Sequence, residues 1–154
     1  MSRDSMPIIR PMTSSDLDAV LAIEQASFPH SWKREHFEHE IDSPHSFPFV
    51  AADETGVLGY VCLMSLFEEA QILDIAVSHD QRGRGVARLL LDYAFGIASG
   101  EGAEVLALEV RETNMAAIKL YEGMGFSRCG SRPRYYDGVD DAVLMEKCLK
   151  RKSI

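Results

Sequence analysis

Apolar positions along the chain switch repeatedly between the period of a strand and that of a helix, and the order of the switches predicts the fold. Ile8 to Met12 reads as a first strand. Thr13 or Ser14 can cap a helix from about Ser15 to Ala26, with Leu17, Val20, Leu21 and Ile23 on its apolar side, and Pro29 ends it. Ser31 can cap a second helix reaching about Ile41, with Trp32, Phe37 and Ile41 facing inward. Phe49 to Asp53 and Val57 to Leu66 form a hairpin around Glu54-Thr55-Gly56, and Glu69 to Val77 extends it as an antiparallel meander. From Val86 the apolar residues fall at 86, 89, 90, 93, 94 and 97, the spacing of a helix with one buried face, and Ser99-Gly100 offers its end. Val105-Leu106-Ala107-Leu108 is a continuous apolar run, as in a strand buried on both faces. Asn114 reads as the N-cap of a short helix from Met115 to Gly123, with Gly125 as its C-cap and Ala117, Ile118 and Tyr121 on one face. Ser127 to Tyr136 and Ala142 to Cys148 close the chain as a second hairpin. The helix between Val77 and Val105 is a parallel crossover in an otherwise antiparallel order. The expected class is α/β, with a central mixed, mostly antiparallel sheet of about seven strands and helices on both faces.

Composition narrows the picture. A chain of 154 residues with 46% hydrophobic content is expected to form a single globular domain over residues 1–154. Met1 to Pro11 has no apolar core of a secretory signal, and apolar stretches fall short of the roughly 18–20 residues that span a membrane, so a soluble cytoplasmic protein is expected. The net charge of −8 argues against nucleic-acid binding, which wants a basic face, and favours a cationic substrate. Cys62, Cys129 and Cys148 are an odd number without metal spacing and read as reduced thiols. His36 and His39 lie three apart, but Glu35, Glu38 and Glu40 around them suggest a solvated face, and no metal site is expected.

Candidate chemistry gathers between residues 82 and 126. Arg82-Gly83-Arg84-Gly85-Val86-Ala87 lies between an apolar strand and a helix. Glycines let backbone N–H groups approach a ligand, and those groups with the helix dipole make an anion site, to which Arg82, Arg84 and Arg88 add charge. A pyrophosphate is the natural guest; an ordinary turn before a surface helix is the alternative. A P-loop would need Lys-Ser or Lys-Thr after its last glycine, where Val86-Ala87 stands. A dinucleotide fingerprint would need a third glycine where Arg88 stands, although Glu109 can imitate its acidic residue. Glu109 closes the apolar run from Val105, at the end of a strand where open α/β sheets bind ligands. A partly desolvated carboxylate there is a better base, and a solvated or Arg111-paired glutamate is the plainer reading. Tyr121 either packs in the core or offers its hydroxyl to a ligand.

Taken together these motifs resemble one family. R-x-x-G-x-A after Ile75-Ala76-Val77, then LEVR-x-x-N-x-x-A-x-x-LYE-x-x-GF, resembles the GNAT acetyltransferases. DLDAVLAIEQASFPHSW near the start and RPRYYDGVDDAVLME near the end resemble the RimI-type ribosomal-protein-alanine N-acetyltransferases, so the resemblance covers about residues 8 to 147. It implies a GNAT fold in which the strands ending at Val77 and Val110 part around acetyl-CoA. It also implies roles. Ile75, Ala76 and Val77 would pair their backbone with the acetyl and pantetheine arm. Gly83, Arg84, Gly85, Val86, Ala87 and Arg88 would hold the pyrophosphate, and Asn114 would touch the cofactor. Glu109 would be the general base and Tyr121 the general acid. His79, Gln81 and Ala87 depart from the family's frequent proline, aromatic and glycine without touching that chemistry.

The implied activity is direct acetyl transfer, in a ternary complex, to the N-terminal α-amine of a protein, an alanine of a small-subunit ribosomal protein. An α-amine with a pKa of about 7.7–8.0 is mostly protonated near neutrality, so a base is needed. No nucleophile–base pair suggests a covalent intermediate. Phe28, Trp32, Tyr135 and Tyr136 would either flank the peptide entrance or pack the rim. Two alternatives remain: a GNAT enzyme for a small amine or a lysine side chain, and a non-catalytic acyl-CoA-binding regulator. Oligomeric state is not legible.

Overall fold

The computed structural model describes residues 6–136 and 138–149. Residues 1–5 of the N-terminal segment and Asp137 of the final hairpin, both read above, lie outside the described residues. The chain forms two compact units: the residues up to Met64 together with Asp74–Ala94, and Ser65–Leu73 together with the chain from Phe95 onward. The strands are hydrogen-bonded as one seven-stranded mixed sheet in the order β1-β2-β3-β4-β5-β7-β6, as expected of the class.

In the first unit, β1 (Ile8–Pro11) pairs antiparallel with β2 (Ser46–Asp53), which pairs antiparallel with β3 (Gly56–Leu66). The β2–β3 turn forms because Asp53 accepts the Thr55 N–H at 2.8 Å and Gly56 takes φ 123°. β3 is buried from Leu58 to Leu63, so it sits at the centre of this unit. α1 (Leu17–Ser27) follows a 3-10 turn at Ser14–Asp16 rather than starting at Ser15. The turn is set by Asp16, whose carboxylate accepts the Thr13 N–H at 2.8 Å and both Arg10 nitrogens at 2.8 Å. The Arg10 guanidinium holds the Asp16 carboxyl below its ordinary range.

α2 (Arg34–Asp42) has Lys33 as its N-cap, two residues after the expected Ser31. The Lys33 N–H is satisfied by His36 Nδ1 at 2.9 Å, while the Trp32 N–H is claimed by Glu24. Trp32 is therefore a loop residue, stacked obliquely on Phe37 at 5.1 Å between ring centroids. The inward positions of α2 are Phe37 and Glu40.

α3 (Val86–Gly100) starts where the apolar period predicts. Its buried stripe is Val86, Leu90, Leu91, Ala94 and Ala98, with Tyr93 partly exposed against Phe49. The left-handed glycine that ends it is Gly102, not Gly100, because the Ala103 N–H reaches back to the Ala98 carbonyl at 2.9 Å. Among the described residues, no helix is long and apolar enough to cross a membrane.

In the second unit, β4 (Glu69–Val77) pairs in parallel with β5 (Val105–Arg111) over Glu69–Gln71 against Val105–Ala107. β5 alternates: Leu106, Leu108 and Val110 are fully buried, and the residues between them are only partly covered. The run of apolar residues had suggested burial of both faces. α4 (Met115–Gly123) buries Ile118 and Tyr121. β6 (Ser127–Tyr136) and β7 (Asp140–Cys148) form the final hairpin, with β7 paired to β5 and β6 at the edge of the sheet.

One close approach governs the first unit. A Cβ on Gly59 of β3 would lie 2.8 Å from the Ala76 carbonyl oxygen and 3.2 Å from the Val77 Cα of β4. Backbone on the far side cannot rotate away as a flexible side chain would. Gly59→Ala is expected to destabilise the chain by about 1–3 kcal/mol, the usual range for overpacking. Urea unfolding of the purified variant checks this; an unchanged midpoint would show that β4 yields without strain.

Candidate functional site

The residues read from sequence as an anion site lie in the first unit. β4 delivers Ile75, Ala76 and Val77, the last two buried. After Val77 the chain makes a 3-10 turn at His79–Gln81 and enters the glycine turn. Gly83 and Gly85 have φ of 79° and 82°, values that side-chain-bearing residues rarely adopt, and nothing lies within 4 Å of where either Cβ would stand. The turn is therefore open to a ligand. Val86 is the buried first residue of α3, Ala87 is half-buried, and Arg82, Arg84 and Arg88 are exposed. The first turn of α3 holds no acidic residue. Arg82 donates from Nε to the Val77 carbonyl at 3.3 Å and Arg84 to the Gln81 side chain at 3.0 Å, which fastens the turn to the end of β4. A helix N-terminus with flanking guanidiniums and no competing carboxylate in that turn fits a pyrophosphate.

The residues read from sequence as base and acid, Glu109 and Tyr121, lie in the second unit. Glu109 lies within β5, opposite Leu144 of β7, with 18% of its side chain exposed. Asn114 caps α4: its Oδ1 accepts the Ala117 N–H at 3.2 Å, and its own N–H donates to the Arg111 carbonyl at 2.9 Å, tying α4 to the end of β5. Asn114 thus has a structural task beside the cofactor contact implied for it. Tyr121 is buried and its ring meets Phe126 edge-on at 5.7 Å.

Two sets of contacts near these positions are not read from sequence, and the first pairs Glu109 with Arg132 where the sequence offers Arg111. Arg132 on β6 forms an ion pair with Glu109 at 3.0 Å and lies over the Tyr135 ring at 5.2 Å. Beside it, Arg111 pairs with Asp140 at 2.7 Å and covers the Tyr136 ring at 4.6 Å. Burial, and then the Glu109 charge, pushes the Tyr136 hydroxyl above its ordinary range, so it stays protonated. No signal in the chain announces Arg132, because its meeting with Glu109 depends on strand register.

The other group is a buried polar cluster in the first unit. Glu24, 1% exposed, accepts the Trp32 N–H on Oε2 at 2.9 Å and the Tyr60 hydroxyl on Oε1. Asp74, next to Ile75, has its Oδ2 buried without a hydrogen-bond partner among the described residues. Burial, and then neighbouring Glu24, pushes the Asp74 carboxyl well above its ordinary range, so the Asp74–Glu24 pair holds a proton near neutrality. Burial likewise pushes the Tyr60 hydroxyl and the Cys62 thiol up. The sequence holds a trace of this cluster: Glu24 falls on the stripe of Leu17 and Val20, and Asp74 interrupts an apolar strand.

Comparison with known proteins places this geometry. The family model described as the acetyltransferase (GNAT) family matches residues 17–126. The [ribosomal protein bS18]-alanine N-acetyltransferase of Escherichia coli is 31% identical over 143 residues, covering 91% of this chain and 96% of that protein. The crystal structure of the ribosomal-protein-S18-alanine N-acetyltransferase from Escherichia coli superposes with a TM-score of 0.88 at 29% identity, over 96% of this chain and 97% of that one. A nourseothricin acetyltransferase structure superposes at 0.78 with 25% identity, over 95% of this chain and the whole of the other.

The raised Asp74 carboxyl has a consequence for stability. Between the ordinary carboxyl range and that raised value, the folded chain holds a proton that the unfolded chain releases, so this group's contribution to stability falls as pH rises through that interval. Asp74→Asn removes the titration and keeps the size. Between pH 5 and pH 8 the wild type should lose at least about 1 kcal/mol more than the variant, since each pKa unit is worth about 1.4 kcal/mol. Urea titrations at the two pH values measure it; parallel losses in both proteins would refute the raised carboxyl.

Proposed function

The chain belongs to the acetyltransferase (GNAT) family, and within it we propose that it moves the acetyl group of acetyl-CoA onto the N-terminal α-amine of a protein, an N-terminal alanine of a small-subunit ribosomal protein. The observation that carries the chemistry is Glu109: a carboxylate largely withdrawn from solvent, inside β5, beside a protonated Tyr136 hydroxyl. The end-to-end similarity to the Escherichia coli bS18-alanine enzyme supports the substrate.

Acetyl-CoA supplies the acetyl thioester. Gly83, Arg84, Gly85, Val86, Ala87 and Arg88 hold its pyrophosphate, by the open left-handed turn and the N-terminus of α3. The backbone of Ile75, Ala76 and Val77 orients the acyl arm, and Asn114 contacts the cofactor from the start of α4. Glu109, directly or through a water, takes a proton from the substrate ammonium, which exposes the nitrogen lone pair. A carbon–nitrogen bond then forms as the carbon–sulfur bond breaks. Tyr121 gives its phenolic proton to the departing sulfur. The amide nitrogen then passes its second proton to the Tyr121 phenolate, and Glu109 returns the first to solvent, so one proton is released for each acetyl group transferred.

A second reading, transfer to a small amine, has one observation in its favour: the structural likeness to the nourseothricin acetyltransferase. A direct comparison of substrates separates the two. Thiol release from acetyl-CoA is followed with peptides beginning Ala, Ser, Met or N-acetyl-Ala and with polyamine and aminoglycoside-type amines, and products are mapped by mass. Acetylation confined to the free N-terminal alanine is expected, and faster turnover of a small amine would overturn the substrate assignment. Glu109→Gln and Tyr121→Phe are each expected to lower kcat/KM for the alanine peptide by roughly 10²–10⁴ while acetyl-CoA affinity holds within about two-fold. Full activity in either variant removes that residue from the mechanism.

A further inference from the structure

The Arg132–Glu109 pair sets a condition on how the substrate reaches the base. Glu109 sits opposite Leu144 on β7, and Arg132 on β6 sits opposite Ala142, so the guanidinium reaches across the intervening strand to the carboxylate. Its NH2 stands 3.0 Å from Glu109 Oε1. Just past Arg132 the β6–β7 register breaks before Tyr136. Arg134 there takes φ 53°, and its N–H is held by Asp141 Oδ1 at 2.8 Å. The Arg132 guanidinium is thus set between the Glu109 carboxylate and the ring of half-exposed Tyr135. The neighbouring Arg111 is held by Asp140.

We propose that Arg132 is an internal stand-in for the substrate's ammonium, a positioning residue that occupies Glu109 until a cationic N-terminus displaces it. The proposal rests on Glu109 being the base. Both groups are cations that seek the same carboxylate, and bringing the ammonium to Glu109 beside the guanidinium sets like charges together. The pair is suited to exchange because 56% of the Arg132 side chain is exposed, so water and the Tyr135 face can take it up when it leaves. The device discriminates by charge. A protonated amine competes for Glu109, whereas the acetylated product has no cation and cannot hold the site against the returning guanidinium. Arg132 therefore sets how tightly the amine is bound in competition, and it acts against retention of product.

The test is steady-state kinetics with the free-alanine peptide, using Arg132→Gln, Arg132→Met and Arg132→Lys beside the wild type and Glu109→Gln. Removing the competing cation is expected to lower the peptide KM by about two- to five-fold, the range for a partly exposed ion pair. The change should fall in KM rather than kcat. Inhibition by the N-acetyl-Ala peptide should strengthen, and Arg132→Lys should bring KM back toward the wild-type value. Mere loss of structure would raise KM or lower kcat instead. An unchanged or raised KM in both neutral variants, with Glu109→Gln inactive, overturns the stand-in and leaves the base assignment standing. A fully active Glu109→Gln removes both.

Discussion

The first unit is organised around a buried carboxylate that the chain must satisfy. Glu24 is almost wholly withdrawn from water, and an uncompensated charge there would cost several kcal/mol. Its hydrogen-bond partners come from two separate stretches, the Trp32 N–H from the loop after α1 and the Tyr60 hydroxyl from β3, and Asp74 of β4 is its buried neighbour. Each answers a need of its own. The Trp32 N–H lies ahead of α2 and has no intrahelical acceptor, Tyr60 is fully buried and requires one, and the Asp74–Glu24 pair holds a proton. One side chain thereby gathers the loop ahead of α2, β3 and the residue before Ile75. Replacement of any one partner by an apolar group would leave a buried polar atom unpaired, which costs more than the hydrogen bond itself is worth.

The second unit solves a different problem. Its charges lie nearer the surface and are arranged as neighbouring pairs, Glu109 with Arg132 and Asp140 with Arg111, with an aromatic ring under each guanidinium. Such pairs contribute little to stability. Their value is in geometry: each guanidinium is flat, ring-supported and directed at a carboxylate. One unit thus withdraws its polar groups from water, and the other keeps its ion pairs partly exposed.

Much of this arrangement was legible in the amino-acid order because the residues concerned act locally. The Gly83–Gly85 turn, the Asn114 cap and the start of α3 at Val86 depend on neighbours within a few positions, and the structure keeps them where the periodicity put them. What was not legible depends on distant partners. α2 starts at Arg34 instead of near Ser31, with the Trp32 N–H held by Glu24, eight residues before it, and the Lys33 N–H by His36. The stripe of α3 includes Leu91 and Ala98 at the expense of Tyr93, whose ring finds Phe49 on β2. Arg132 meets Glu109 only through the register of three strands, and no spacing in the chain encodes that.

The broken end of β6 matters beyond the site. An edge strand offers unpaired backbone groups to any other extended chain, and a long, regular one invites sheet growth between molecules. β6 is exposed along most of its length, yet it carries Pro133, which has no N–H to give, within a stretch of irregular register. Arg128, Arg132 and Arg134 add like charge that a second copy of the same strand would have to face. The irregularity that brings Arg132 and Tyr135 together therefore also makes this margin a poor template for self-association, and a substitution that straightened it would trade solubility for regular hydrogen bonding.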